Sequence, residues 1–140
     1  MRQAGEAMKV ARCLMCVAFL FSGTLVSAGS ISGNDLLEGC EADNPIGVER
    51  GFCLGFIMGA VDGLKWGALR GIQLVKPDEF DSESYNAITD LALQTCPPDG
   101  VENGQIVDIV VQYLAANPQA RHNSARALIQ LALSESFPCF

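Results

Sequence analysis

The chain holds one histidine and nine Lys and Arg in 140 residues, and each scarcity removes a class of function. A lone His122 leaves acid–base catalysis without the imidazole partnerships that usually carry it. Sixteen Asp and Glu outweigh the basic residues to give a formal charge of −7, a field that repels nucleic acid and anionic lipid. Carboxylates are plentiful, but no pair sits in an apolar setting that would drive two pKa values apart. Strands are missing as well. No alternating pattern rises above the background, so a glycine loop between a strand and a helix, the usual phosphate cradle, has no place to form.

What is present begins with a leader. Arg2, Lys9 and Arg12 form a basic stretch, Leu14 to Val26 is an apolar run of 13 residues, and Val26-Ser27-Ala28 offers a small-x-small cleavage site. Met8 serves equally well as a start. The apolar run falls short of the roughly 20 residues that span a bilayer, so residues 1–28 read as a cleaved signal peptide rather than an anchor. Cys16 sits too early in that run to be a lipidation site. Cleavage leaves residues 29–140 as a single domain with a balance of −9, from 6 Lys and Arg against 15 Asp and Glu. That acidity favours a partner with a basic face; keeping the protein soluble is the alternative account.

Cys13 and Cys16 leave with the leader, and Cys40, Cys53, Cys96 and Cys139 remain. An even count in an oxidising compartment points to two disulfides. Zinc is the competing use, but these four include no C-x-x-C spacing with which two thiolates grip one ion. No metal or cofactor is expected.

Ser32 and Asp35 form a capping-box pattern for a first helix over about Gly33 to Cys40, burying Leu36 and Leu37. Asn44-Pro45 separates it from the oddest segment in the chain. Gly47, Gly51, Gly55, Gly59, Gly63, Gly67 and Gly71 recur at every fourth position among apolar residues of helical content. Each interior glycine costs a helix about 1 kcal/mol relative to alanine, so close approach of another backbone is the expected compensation. Four residues advance about 400° on a helix, so the ladder drifts and only three or four glycines share a face. Gly51, Gly55, Gly59 and Gly63 are the expected packing groove, with fraying or bending near Gly67 and Gly71. The longest uncharged stretch here, Gly51 to Val61, has 11 residues, which argues for a soluble core helix over a membrane span. Asp62 reads as an exposed acid beside Lys65 or paired with a cation.

Residues 76–83 make an acidic turn, Lys-Pro-Asp-Glu-Phe-Asp-Ser-Glu, of the kind that either carries function or simply connects. Ser82 caps a third helix through Leu93, with Tyr85, Ile88, Leu91 and Ala92 inward. Cys96-Pro97-Pro98-Asp99-Gly100 forces a turn, with Gly100 tolerating positive φ. Ile106, Ile109, Val110, Tyr113 and Leu114 mark the fourth helix, which Asn117-Pro118 stops. After a polar turn with Arg121 and His122, a fifth helix from about Ser124 to Phe137 presents Leu128, Leu131 and Ala132, widened by Ile129 and Leu133. The fold class is all-α, a compact bundle of four to five helices with two disulfides. Antiparallel hairpins return Cys40 to Cys53 and Cys96 to Cys139, which makes these the preferred pairings, worth about 3 and 4 kcal/mol on loop entropy.

Taken in order, Gly33-Asn34-Asp35-Leu36-Leu37, Cys40, Phe52-Cys53-Leu54-Gly55-Phe56-Ile57-Met58-Gly59, Asp62, Cys96-Pro97-Pro98-Asp99-Gly100-Val101, Gln105, Tyr113-Leu114 and Ser136-Phe137-Pro138-Cys139 resemble the Rap/Tai family of type VI secretion immunity proteins. Between Gly67 and Thr95 this chain carries extra residues relative to shorter members. The resemblance implies a small all-α periplasmic protein, often a homodimer, that blocks a peptidoglycan amidase by filling its catalytic groove and is not itself an enzyme. On that reading Asp78, Glu79, Phe80, Asp81 and Glu83 are the candidate plug, with Phe80 as anchor. Gly51, Gly55, Gly59 and Gly63 are the candidate dimer contact. Two other classes stand beside it: an oligomerising envelope protein built on the glycine ladder, with no amidase partner, and an enzyme using His122 with Asp99 or Asp108.

Overall fold

Ser32 opens the first helix as its spacing to Asp35 predicts. In the computed structural model, which describes residues 29–42, 47–75 and 84–140, the Asp35 N–H donates to Ser32 Oγ at 3.3 Å and the Ser32 N–H donates to Asp35 Oδ2 at 2.9 Å. This reciprocal box satisfies donors that a helix start otherwise leaves open, and begins α1, Gly33–Cys40. The Ser32 hydroxyl first, and its N–H second, stabilise the charged carboxylate and hold Asp35 below its ordinary pKa of 3.8. A folded-state pKa that is depressed adds stability above the unfolded value, and that increment disappears as pH falls through the carboxylate range. Acid unfolding profiles should therefore show a smaller acid-side loss in Ser32→Ala than in the native protein. Superimposable profiles would remove the box from the stability account.

The remaining elements are α2, Val48–Val75; α3, Ser84–Leu93; α4, Asn103–Ala116; a 3-10 turn, Pro118–Ala120; and α5, Ala125–Ser136. All regular structure among the described residues is helical, apart from an isolated bridge pairing Ser32 with Ser124. Leu36 of α1, Ile57 of α2, Val110 and Leu114 of α4, and Leu128 and Ile129 of α5 are each at most 2 % exposed and make the centre of the core. Both preferred disulfides are present: Cys40–Cys53 with Cα atoms 5.0 Å apart, and Cys96–Cys139 with Cα atoms 5.1 Å apart. Zinc therefore has no thiolates to bind among these four.

The N-terminal strap locks α1 onto the end of the molecule where α5 begins. The Gly33 N–H donates to Asn123 O at 3.0 Å, Asn34 N–H to Arg121 O at 3.1 Å, and Ala125 N–H to Ile31 O at 2.8 Å. Here a glycine is required for space. A Cβ on Gly33 would lie 2.5 Å from Leu128 Cδ1 and 3.0 Å from the Arg121 carbonyl oxygen. Arg121 itself terminates α4, donating from Nε to Leu114 O at 2.6 Å and from Nη2 to Ala115 O at 2.9 Å, where a cation also suits the negative end of the helix.

Four expectations about helix faces need correction. The second helix is not a core helix: of its 28 residues only Cys53, Ile57 and Leu69 are buried. It also runs unbroken through Gly67 and Gly71 to Val75, because α3 packs beside that half and Lys65 Nζ lies 2.7 Å from Asp90 Oδ1. On α3 the buried residue is Thr89, whose hydroxyl donates to Tyr85 O at 2.8 Å; the inward turn of Thr89 and Asp90 leaves Leu91 61 % exposed and Ala92 exposed. Along α4 the fully buried line is Val107, Val110 and Leu114, with Ile106, Ile109 and Tyr113 half-buried at its edges. Leu131 of α5 points outward at 47 % exposure, since Gln130 beside it turns inward to donate through Nε2 to the carbonyl of Leu93 and to Thr95 Oγ1.

Candidate functional site

The open face of α2 (Val48–Val75) is the most unusual surface among the described residues. A Cβ added at Gly51, Gly55, Gly59, Gly63, Gly67 or Gly71 would meet nothing within 4 Å. The ladder thus lies on the exposed side of its helix, and no other backbone among the described residues closes onto it. Large apolar side chains share that exposure: Val48 at 86 %, Phe52 at 38 % and Trp66 at 60 %. Contiguous exposed apolar surface of this kind marks an interaction face more often than chance solvent contact. Alanine at Gly71 should raise stability by about 1 kcal/mol through helix propensity, whereas alanine at Gly33 should lower it by about 1–3 kcal/mol through overpacking. Thermal or urea unfolding of the two variants separates them; a shift in the same direction for both would contradict the assignment of open and closed glycines.

A groove of about 550 Å³ follows the ladder, floored by Gly55, Gly59 and Gly63, with Phe56 and Leu64 as apolar walls and Arg126 of α5 at its margin. Arg126 escaped the sequence reading, which treated α5 only as an apolar stripe. Its significance comes from its neighbours. Arg50 donates to Cys40 O at 3.5 Å, Arg70 to Gln73 Oε1 at 2.9 Å, Lys65 pairs with Asp90, and Arg121 caps α4. Among the described residues Arg126 is the cation left without a hydrogen bond or ion pair. Asp62, exposed on α2, is unpaired too, since Lys65 reaches Asp90 instead of it. A second groove of about 480 Å³ separates the start of α2 from the start of α4, between Arg50 and Leu54 on one side and Asn103 and Asp108 on the other.

By length and composition α2 suffices to cross a membrane, with a mean hydropathy of 1.3 over its most apolar window. Its attachments pull the other way. Cys53 is tied to Cys40 of α1, and Lys65 to Asp90 of α3, so both halves are held against other helices. Burying Asp62 in lipid would carry the cost of an unpaired charge.

The expected plug residues Asp78, Glu79, Phe80, Asp81 and Glu83 lie outside the described residues, as do the expected leader at 1–28 and Ser82. His122 is exposed on the turn before α5, and no described carboxylate lies within ion-pair distance of it. Asp99 and Asp108 are exposed as well, on the turn before α4 and on α4 itself. Among the described residues this arrangement supplies surfaces for binding and brings none of His122, Asp99 and Asp108 into a buried site.

The model of the Rap1a immunity proteins matches residues 32–139. The chain belongs to that family. The matched span starts at the Ser32 cap and ends at Cys139, so it includes all five helices and both disulfides. Membership in the Rap1a family supports a role in binding an effector protein rather than in catalysis. A comparison with curated proteins and one with solved structures each returned no match.

Proposed function

We propose that this Rap1a-family protein is a periplasmic immunity protein that acts as a homodimer, binds a type VI secretion peptidoglycan amidase and occludes its active site without chemistry of its own. The family match over residues 32–139 carries the reading. Two cystines accord with an oxidising compartment, reached through the leader at 1–28, and the acidic balance suits a basic-faced partner. Residues 29–140 act as one unit, with α2 held to the bundle rather than in the bilayer. Asp78, Glu79, Phe80, Asp81 and Glu83 are the plug: an acidic rim around one aromatic anchor is the composition that fills a pocket at an interface.

Cells challenged by the amidase encoded beside this gene test it. Survival should require the protein with its leader and fail when the leader is deleted. Protection without export, or no complex with a neighbouring effector, would remove the reading. Charge reversal at Asp78, Glu79 and Asp81 should weaken the complex; unchanged affinity would move the contact elsewhere. The open α2 face favours one further reading, an envelope protein that oligomerises through glycines without an amidase. It requires large or detergent-dependent assemblies, which size-exclusion chromatography resolves from a compact dimer.

A further inference from the structure

We infer that the Cys96–Cys139 cystine is a thiol–disulfide exchange site, opened by a dithiol, whose reduction unlatches α3 while the rest of the bundle stays folded. The two cystines stand in opposite surroundings. Cys40 and Cys53 are 4 % and 1 % exposed and belong to the apolar core with Leu36, Ile57 and Leu128. Cys53 borders the groove between α2 and α4, but almost none of it reaches the surface. Cys96 and Cys139 are half-buried and lie outside that core. A groove of about 580 Å³ opens onto both of them, walled by Leu91, Pro98, Phe137 and Phe140. An attacking thiolate must reach a sulfur along the bond it breaks, so access decides which cystine reacts first. Loop length bears on how much each bond stabilises the fold, whereas access sets how fast it exchanges.

In the first step a thiolate attacks Cys139 Sγ, the bond to Cys96 breaks, and its electron pair leaves on the Cys96 sulfur, which takes up a proton. The second thiol of the reagent, as thiolate, then displaces Cys139. The dithiol is thereby oxidised by two electrons to a cystine, and the two protons it gave up end on the protein's cysteines. Cys139 is the sulfur attacked because its Sγ lies 3.7 Å from the carbonyl oxygen of Asp90, where negative charge is disfavoured and Cys139 makes the poorer leaving group. What the bond holds is α3. That helix gives no side chain to the apolar core; it packs beside α2, with Lys65 on Asp90, and is tied to α5 through the turn that follows it. Gln94 in that turn has a φ of +52°, a conformation that favours glycine, so the turn is held rather than relaxed. Gln130, the Cys96 N–H donating to Phe137 O, and the cystine do the holding. Reduction leaves only the hydrogen bonds against that strain, while the contacts of the core and the Cys40–Cys53 bond stay as they are.

Treating the purified, oxidised protein with dithiothreitol in the absence of denaturant tests this, apart from the amidase reading because no effector is involved. Alkylation at timed intervals, followed by mass mapping, should label Cys96 and Cys139 at least about a hundredfold faster than Cys40 and Cys53. A species keeping only Cys40–Cys53 should accumulate with most of its helical circular dichroism. Hydrogen exchange in that species should speed about tenfold or more over residues 84–96, while the amides of Leu114, Leu128 and Ile129 keep their protection. Cys40–Cys53 opening first, or both pairs opening together, overturns the exchange site. Exchange that rises throughout makes the bond a staple of the whole fold, and exchange unchanged in α3 leaves it holding nothing; either result overturns the latch. Glutathione, a monothiol that cannot displace itself by closing a ring, should be found on Cys139 after acid quenching. An adduct on Cys96 instead overturns the order of attack.

Discussion

Replacing Cys96 and Cys139 with serine is expected to lower unfolding free energy by about 4 kcal/mol. They stand 43 positions apart in sequence and bracket α4 and α5 (Asn103–Ala116 and Ala125–Ser136), so the bond closes the whole hairpin and removes a large share of the unfolded chain's freedom. The native state depends on the same closure. Cys96 N–H donates to Phe137 O at 2.8 Å, and Gln130 bonds the turn that carries Thr95. A domain of this size has about 5–15 kcal/mol in total, so the variant should retain its helices at low temperature and lose much of its resistance to urea. Serine at Cys40 and Cys53, which stand only 13 positions apart, should cost about 3 kcal/mol. Urea unfolding of the two double variants measures both, and a larger loss from the shorter loop would contradict the entropic ranking.

Ile57→Ala should cost about 2–5 kcal/mol. Ile57 is fully buried, and Cys53 one turn before it is 1 % exposed; beyond them only Leu69 of α2 is buried. The helix is therefore docked along a narrow stripe, and a cavity at its centre loosens the contact with α1 and α5 (Gly33–Cys40 and Ala125–Ser136). Met58, half-buried on the next position, is the control: Met58→Ala should cost well under half as much. Equal losses would show that α2 is held by something other than this stripe.

Local chemistry was the legible part of the sequence. Ser32 with Asp35 announces a helix start because two side chains and two N–H groups satisfy one another within four residues. The cystine pairing was legible because helix ends fall where the cysteines stand, and an antiparallel hairpin brings such ends together. Gly100, with a φ of +86°, was legible from the prolines before it. Which way a helix faces was harder. Apolar residues surround α2 almost evenly, so their number suggested a core position while the structure leaves Val48, Trp66, Leu74 and Val75 in solvent. Asp62 is exposed beside Lys65 as its surroundings suggest, but that Lys65 reaches Asp90 on another helix has no local signal. Leu131 looked inward by spacing, but Gln130 takes the inward place because the carbonyl of Leu93 needs a donor there. These outcomes depend on partners distant in the chain, and no local pattern carries them.

Arg126 is the surface residue with the least warning. An arginine near the start of an apolar helix reads as a solvated charge. Its standing becomes visible only once Arg50, Lys65, Arg70 and Arg121 are seen to be occupied. A signal existed in retrospect: six basic residues between positions 29 and 140 are few enough that each can be asked what it neutralises.

Titration of the purified, oxidised protein into a candidate peptidoglycan amidase taken from a neighbouring reading frame, with hydrolysis of cell-wall peptide as the readout, addresses the central claim without the complications of a living cell. Occlusion predicts that hydrolysis falls linearly with added protein and reaches background near equimolar ratio. Undiminished hydrolysis in the presence of excess protein would contradict it.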